Sequence, residues 1–343
     1  MAYAKRALST CPKKSKSLDK TWENVGSSRP AIYICIILIA AAVGLMYELR
    51  TRTILACQAD GYSSDRYLAY CNGDNYADYE HGAFYFDLEP SAQNFVRDAD
   101  VLFLGSSRLQ VALSTDVTAD WFRSAASHYY LLGFSYFENV IFAETLLQKI
   151  RPRASVYVIN IDDFFDRQET IPAKTVFHDP DARYNYEMKR RWQRLHEYIC
   201  GTVPMVCGHK FVIYRSRENG AYYAYQTEGA ALQKSTPVSY DPIVDQNAVS
   251  RNTIAAASFL SRFTKGKCVI LTMVPFVETK IGDATAIARS LGMELVVPAP
   301  LDGLRTFDGY HLDRSSAERW SRAFFQVAGP KIRSCLASQD LTR

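Results

Sequence analysis

Apolar residues fall along this chain in three textures. The first is a single run, Ala31–Tyr47, that contains no charged residue. At about 1.5 Å per residue it predicts a helix of roughly 25 Å, near the short limit for crossing a bilayer. Pro30 suits its first turn, and Tyr33 and Tyr47 suit two membrane interfaces. A buried core helix and a cleaved signal peptide are the competing readings. The abrupt change in composition at Pro30 argues against the first, and the long segment before the run argues against the second.

The second texture begins near residue 96, where short apolar runs alternate with helical spacing. Strands are expected at Val101–Leu104, closed by Gly105, and at Tyr129–Leu132, closed by Gly133. Others are expected at Ser155–Ile161, at Lys267–Val274 before Pro275, and at Glu294–Val297. Helices are expected at Phe137–Ile150, Asn252–Phe263, Ala284–Leu291 and Ser315–Val327. This alternation predicts an α/β fold, a three-layer sandwich around a parallel sheet. Reactive groups then collect at the carboxyl ends of strands, where Gly105-Ser106-Ser107, Gly133 and Asp162-Asp163 fall.

The third texture is polar and aromatic, with little periodicity. It covers residues 49–95, which read as a stalk or entry segment, and about 168–248, which read as a cap-like insertion. The organisation expected is a basic tail (1–30), an anchor (31–48), the stalk (49–95) and an α/β domain (96–335) carrying that insertion. Lys189-Arg190-Arg191 and Arg194 lie on a predicted helix of the insertion, either as a solvated face or as a lid or docking surface.

Charge sharpens this picture once it is located. Residues 1–30 carry seven basic side chains against two acidic ones, a surplus of five. The whole chain is +4, so everything after residue 30 is at −1. A near-neutral body offers no footprint for nucleic acid. The basic excess before the apolar run outweighs Arg50, Arg52 and Arg66 after it, which places the tail in the cytoplasm and the body outside. The localisation expected is therefore the cytoplasmic membrane, single-pass, with an exported domain. Cys11 and Cys35 fall in the tail and anchor. Six cysteines remain on the exported side, an even number that fits disulfides, with 15 connectivities open. Local spacing favours Cys57–Cys71 and Cys200–Cys207, leaving Cys268–Cys335. The spacings are not those of a zinc site, and no metal or cofactor is expected.

The candidate chemistry lies in two pieces, Val101-Leu-Phe-Leu-Gly-Ser-Ser-Arg108 and Asp308-Gly-Tyr-His-Leu-Asp313. Alone, Ser107 could be a turn serine, and Asp308 and His311 could cap the helix that follows. Together they supply the nucleophile, acid and base that acyl transfer needs. These pieces resemble the SGNH (GDSL-type) hydrolase superfamily over roughly residues 98–333. In that family a serine follows the first strand in a Gly-Asp-Ser-Leu block, and the domain closes with Asp-x-x-His and a helix.

The resemblance implies Ser107 as nucleophile, His311 as general base and Asp308 as the residue that orients it. The backbone N–H groups of Ser107 and Gly133 would line an oxyanion hole. The family's third block is Gly-x-Asn-Asp, whereas this chain reads Asn160-Ile-Asp162-Asp163, with Asp162 at the asparagine position and Asn160 as the substitute donor. An anchor with a Gly-Ser-Ser block is similar to members that handle acyl groups on envelope polymers, such as alginate O-acetylation and teichoic-acid D-alanylation proteins. That implies three partners: the membrane, an envelope polysaccharide, and a membrane-bound O-acyltransferase or polysaccharide synthesis complex. The expectation is an O-acetyltransferase or acyl esterase working through an acyl-serine. The alternative is a catalytically inactive assembly or polysaccharide-binding subunit.

Overall fold

The computed structural model describes residues 19–72, 76–225 and 235–340. The basic tail through residue 18, with Cys11, lies outside them, as do residues 226–234 of the expected insertion. The chain divides into two units, Met1–Leu49 and Arg50–Arg343.

Helix α1 runs Asp19–Arg52, longer at both ends than the apolar run that predicts it. Its segment Pro30–Arg52 is long and apolar enough to cross a membrane, and none of that segment is buried.

In chain order the second unit contains β1 (Arg66–Cys71), β2 (Ala77–Asp78), α2 (Glu80–Tyr85), α3 (Pro90–Asp98), β3 (Val101–Ser106), α4 (Ser107–Ala112) and α5 (Thr115–Ala125). It continues with β4 (Tyr129–Phe134), α6 (Val140–Ile150), β5 (Val156–Asn160), α7 (Ile171–His178), α8 (Ala182–Thr202), β6 (Val212–Ser216) and β7 (Tyr222–Tyr225). It closes with β8 (Thr236–Pro237), α9 (Gln246–Phe263), β9 (Cys268–Thr272), α10 (Ile281–Ser290), β10 (Arg305–Thr306) and α11 (Arg314–Asp340).

The fold is α/β, with a parallel four-stranded sheet in the order β4-β3-β5-β9. Alternate residues feed two cores, as the pleat requires. Leu102, Leu104, Tyr130, Ile159 and Leu271 pack on one side with α3, α6, α9 and α10. Val101, Phe103, Leu131, Val158 and Ile270 pack on the other with Phe122 of α5 and Trp320 and Phe324 of α11. Both faces are thus covered, which is why these strands read as unbroken apolar runs. Strand β3 is internal, so its carboxyl end opens at the middle of the sheet. The expected strand Glu294–Val297 is reduced to one parallel bridge, Leu271↔Leu295.

Residues 49–95 are not a stalk. Strand β1 pairs antiparallel with β2 and with β6, and β6 pairs with β7, giving a second sheet in the order β2-β1-β6-β7. Tyr67, Leu68, Ala69, Tyr79 and Phe84 are sealed from solvent. The insertion is therefore no separate cap: its strands complete this sheet with residues from the first segment. Burial on both faces hides the alternation in β1, and its main partner lies some 140 residues further on.

The disulfides Cys57–Cys71, Cys200–Cys207 and Cys268–Cys335 are formed, while Cys35 is free and exposed.

Candidate active site

Ser107 stands where β3 passes directly into α4. Ser106 makes that change of direction possible. It is the N-cap, and its Oγ accepts from the Arg108 N–H at 3.3 Å. Ser107 is thereby the first residue of α4, where backbone N–H groups have no acceptor within the helix.

Asp308 and His311 share one turn between β10 and α11. Asp308 Oδ1 accepts from the backbone N–H groups of Tyr310 at 2.9 Å and His311 at 2.8 Å. Gly309, at φ +91°, supplies a backbone state that a side chain would resist. Asp313 then caps α11 by accepting from the Ser316 N–H at 2.8 Å.

The two pieces meet because α11 is stitched to the segment after Ser107. The Ser321 hydroxyl donates to the Ala112 carbonyl at 2.7 Å and accepts from the Ser114 N–H at 2.8 Å. Across this junction Ser107 Oγ lies 2.9 Å from His311 Nε2, and His311 Nδ1 lies 2.6 Å from Asp308 Oδ2. Ser107, His311 and Asp308 therefore form one continuous relay. Partial burial pushes the Asp308 carboxyl up, but hydrogen bonds from the His311 ring and the turn's N–H groups outweigh it and hold it below its ordinary value. A carboxyl held down in this way is ionised at neutral pH.

The two other expected oxyanion donors flank the nucleophile's strand. Gly133 lies beside Gly105 in register, and a Cβ there would come within 2.7 Å of the Ser106 carbonyl oxygen. Only glycine permits that approach. On the other side, the Asn160 Cβ lies 3.2 Å from where a Gly105 Cβ would stand. Asn160 is fully buried; its Oδ1 accepts from the Val274 N–H at 2.9 Å. Its Nδ2 reaches no acceptor at full hydrogen-bonding geometry, although its proximity helps hold down the Asp162 carboxyl.

Asp162 does not face the site as a bare charge. Arg108 Nη1 donates to Asp162 at 3.0 Å, and Nη2 donates to Asp163 at 2.8 Å. The guanidinium carbon lies over the rings of Phe276 and Phe137, 4.2 and 5.2 Å from their centroids. Burial still pushes Asp162 up to about 6, against the pull of Arg108.

The loop after β4 supplies residues that the sequence did not single out. Tyr136 and Phe137 both have positive φ, at 59° and 55°, which is uncommon for bulky side chains. Two buried carboxylates hold them there. Glu80 accepts from the Ser135 N–H and hydroxyl, each at 2.8 Å, and is itself bound by Arg215 and Tyr222. Glu138 accepts from the Asn139 N–H at 3.0 Å, with Oε2 lying 3.0 Å from His81 Nε2. The half-exposed Phe137 ring meets Tyr310 edge-on at 5.3 Å, beside the relay. Consecutive aromatics after a strand-ending glycine are the weak signal that could have found this loop.

Among the described residues, two clusters have metal-ligand composition. In one, Cys200 and Cys207 are bonded to each other. In the other, Asp78 is engaged by His81 and Tyr186, and Glu80 by Arg215 and Tyr222. Neither is free to take an ion without losing those partners.

No protein-family model, curated protein or solved structure matches this chain.

Proposed function

We propose that this chain is a membrane-tethered serine acyl-transfer enzyme of the SGNH hydrolase type, acting on a cell-envelope polysaccharide. The observation that carries this reading is the relay Ser107–His311–Asp308, with contacts of 2.9 and 2.6 Å. In the reaction Ser107 Oγ attacks an acyl carbonyl while His311 Nε2 takes its proton, and Asp308 stabilises the imidazolium. The oxyanion is met by the Ser107 and Gly133 N–H groups and the Asn160 amide. His311 then returns the proton to the leaving group, giving an acyl-serine. A sugar hydroxyl attacking next completes an O-acetyltransferase cycle, and water completes an esterase cycle.

The helix Pro30–Arg52 and three disulfides support an anchored domain in an oxidising compartment, with the amino-terminal tail in the cytoplasm. A membrane-bound O-acyltransferase is the partner that such an enzyme would draw acyl groups from.

The test is covalent labelling of the protein by a serine-reactive phosphonate. Wild type should label and Ser107→Ala should not; equal labelling of the two sinks the enzyme reading. Asp162 at the expected donor position favours a second reading, a non-catalytic polysaccharide-binding or assembly subunit. Under that reading, cells carrying Ser107→Ala keep normal envelope acylation while cells lacking the chain lose it.

A further inference from the structure

Helix α8 packs one face inward and leaves an apolar stripe facing out. Gln193, His196 and Cys200 are buried and mark the inner face. At about 100° per residue, Trp192, Leu195 and Tyr198 fall towards the other side and are 49, 44 and 71% exposed. Val203 and Met205, in and next to the turn Pro204–Val206, extend the stripe. A helix with one packed face ordinarily presents polar residues on its opposite face, and an exposed apolar patch marks a contact surface.

Charge narrows the occupant. Within Ala182–Thr202 there are five Lys and Arg residues against two Glu, and the exposed Arg191 and Arg194 lie along the stripe. Burial pulls His196 down to about 4, so it adds no charge at neutral pH.

Position narrows it further. The segment after α8 is hydrogen-bonded to the first residues beyond α1. The Gly208 N–H donates to the Leu55 carbonyl at 2.6 Å, and the Lys210 N–H to the Ala56 carbonyl at 2.9 Å. His196 Nε2 lies 3.1 Å from the Cys57 carbonyl. From Leu49 to Ile54 the chain can extend at most about 17 Å. Ile54, and with it the start of the segment that α8 packs on, is therefore tethered to Leu49 by no more than that length of chain.

We propose that the outward face of α8 and the Pro204–Val206 turn lies in the interface of the bilayer that α1 crosses. Trp192, Leu195, Tyr198, Val203 and Met205 enter the headgroup–acyl boundary, and Arg191 and Arg194 meet anionic headgroups. The domain then has two attachments, a span and a surface, which fix its orientation over the membrane. This inference rests on the anchor reading and is independent of acyl transfer.

The test places the full chain in nanodiscs whose phospholipids are brominated on the acyl chains, with or without phosphatidylglycerol. The Trp192 emission is isolated by subtracting that of Trp192→Phe. It should be quenched at least twofold in anionic discs, and Arg191→Glu/Arg194→Glu should remove most of that quenching. A chain that fails to assemble into discs overturns the anchor reading and the docking with it. A chain that assembles but leaves Trp192 unquenched overturns the docking alone. Trp192 shielded from acrylamide only in discs holding two copies assigns the face to a second copy, which also overturns a lipid contact.

Discussion

Arg108 Nη1 and Asp162 Oδ2 lie 3.0 Å apart, with side chains only 3% and 2% exposed. The pair explains how a carboxylate is tolerated in so buried a place. Burial nonetheless pushes Asp162 up to about 6, above the ordinary carboxylate value of 3.8. A raised carboxyl contributes stability that is complete below about pH 3.8 and lost as pH rises through about 6. Replacing Asp162 by Asn removes that term. The difference in urea midpoint between variant and wild type should therefore shift in the variant's favour from pH 4 to pH 7. A constant difference across that range would place Asp162 at its ordinary value.

Asp308→Asn keeps the turn, because an amide oxygen still accepts from the Tyr310 and His311 N–H groups. It removes the charge that stabilises an imidazolium. Acyl-serine formation should fall on the order of 10⁴-fold, while the thermal midpoint changes little. The rate of phosphonate labelling measures the first and calorimetry the second. Unchanged labelling would mean that Asp308 serves the turn alone.

Much of this was legible because its signals are local or continuous. Strands β3, β4 and β5 are sealed throughout, and β9 over Ile270–Thr272, so each is an apolar run that survives without knowledge of its neighbours. Asp308 and His311 share one turn, so their spacing alone states a relationship. Strand β1 was opaque because its pairing with β6 depends on residues far along the chain. Helix α4 was opaque because it starts on the residue directly after a strand, with no linker, and runs for six residues. The Arg108–Asp162 pair and the Glu80–Ser135 clamp needed the topology before either partner had meaning.

Phe137 is held at φ 55° with its ring half exposed beside Tyr310. A bulky residue in the left-handed region costs about 1–3 kcal/mol. Glycine relieves that cost, adds about 0.5–1 kcal/mol of chain entropy, and loses the ring contacts. Phe137→Gly should therefore leave unfolding free energy within about 1 kcal/mol of wild type. If the ring handles substrate, the same variant should raise KM roughly tenfold, a loss of about 1.4 kcal/mol. A large stability loss with unchanged KM would make Phe137 a packing residue.

His81 lies fully buried between Asp78 and Glu138, 3.0 Å from each. Burial pulls its pKa down, but Asp78 and Glu138 outweigh this and push it up to about 10. Its folded value therefore exceeds the unfolded value of about 6.5. The stability it contributes is complete below about pH 6.5 and lost as pH rises through about 10. Urea midpoints should fall across that window in wild type and stay flatter in His81→Gln, which at pH 6 should be less stable by about 3–5 kcal/mol. Glu138 adjoins Phe137, so the same variant should also loosen the loop beside the relay, seen as faster amide exchange at residues 135–139. Parallel midpoint slopes in the two proteins would show that His81 is neutral in the fold.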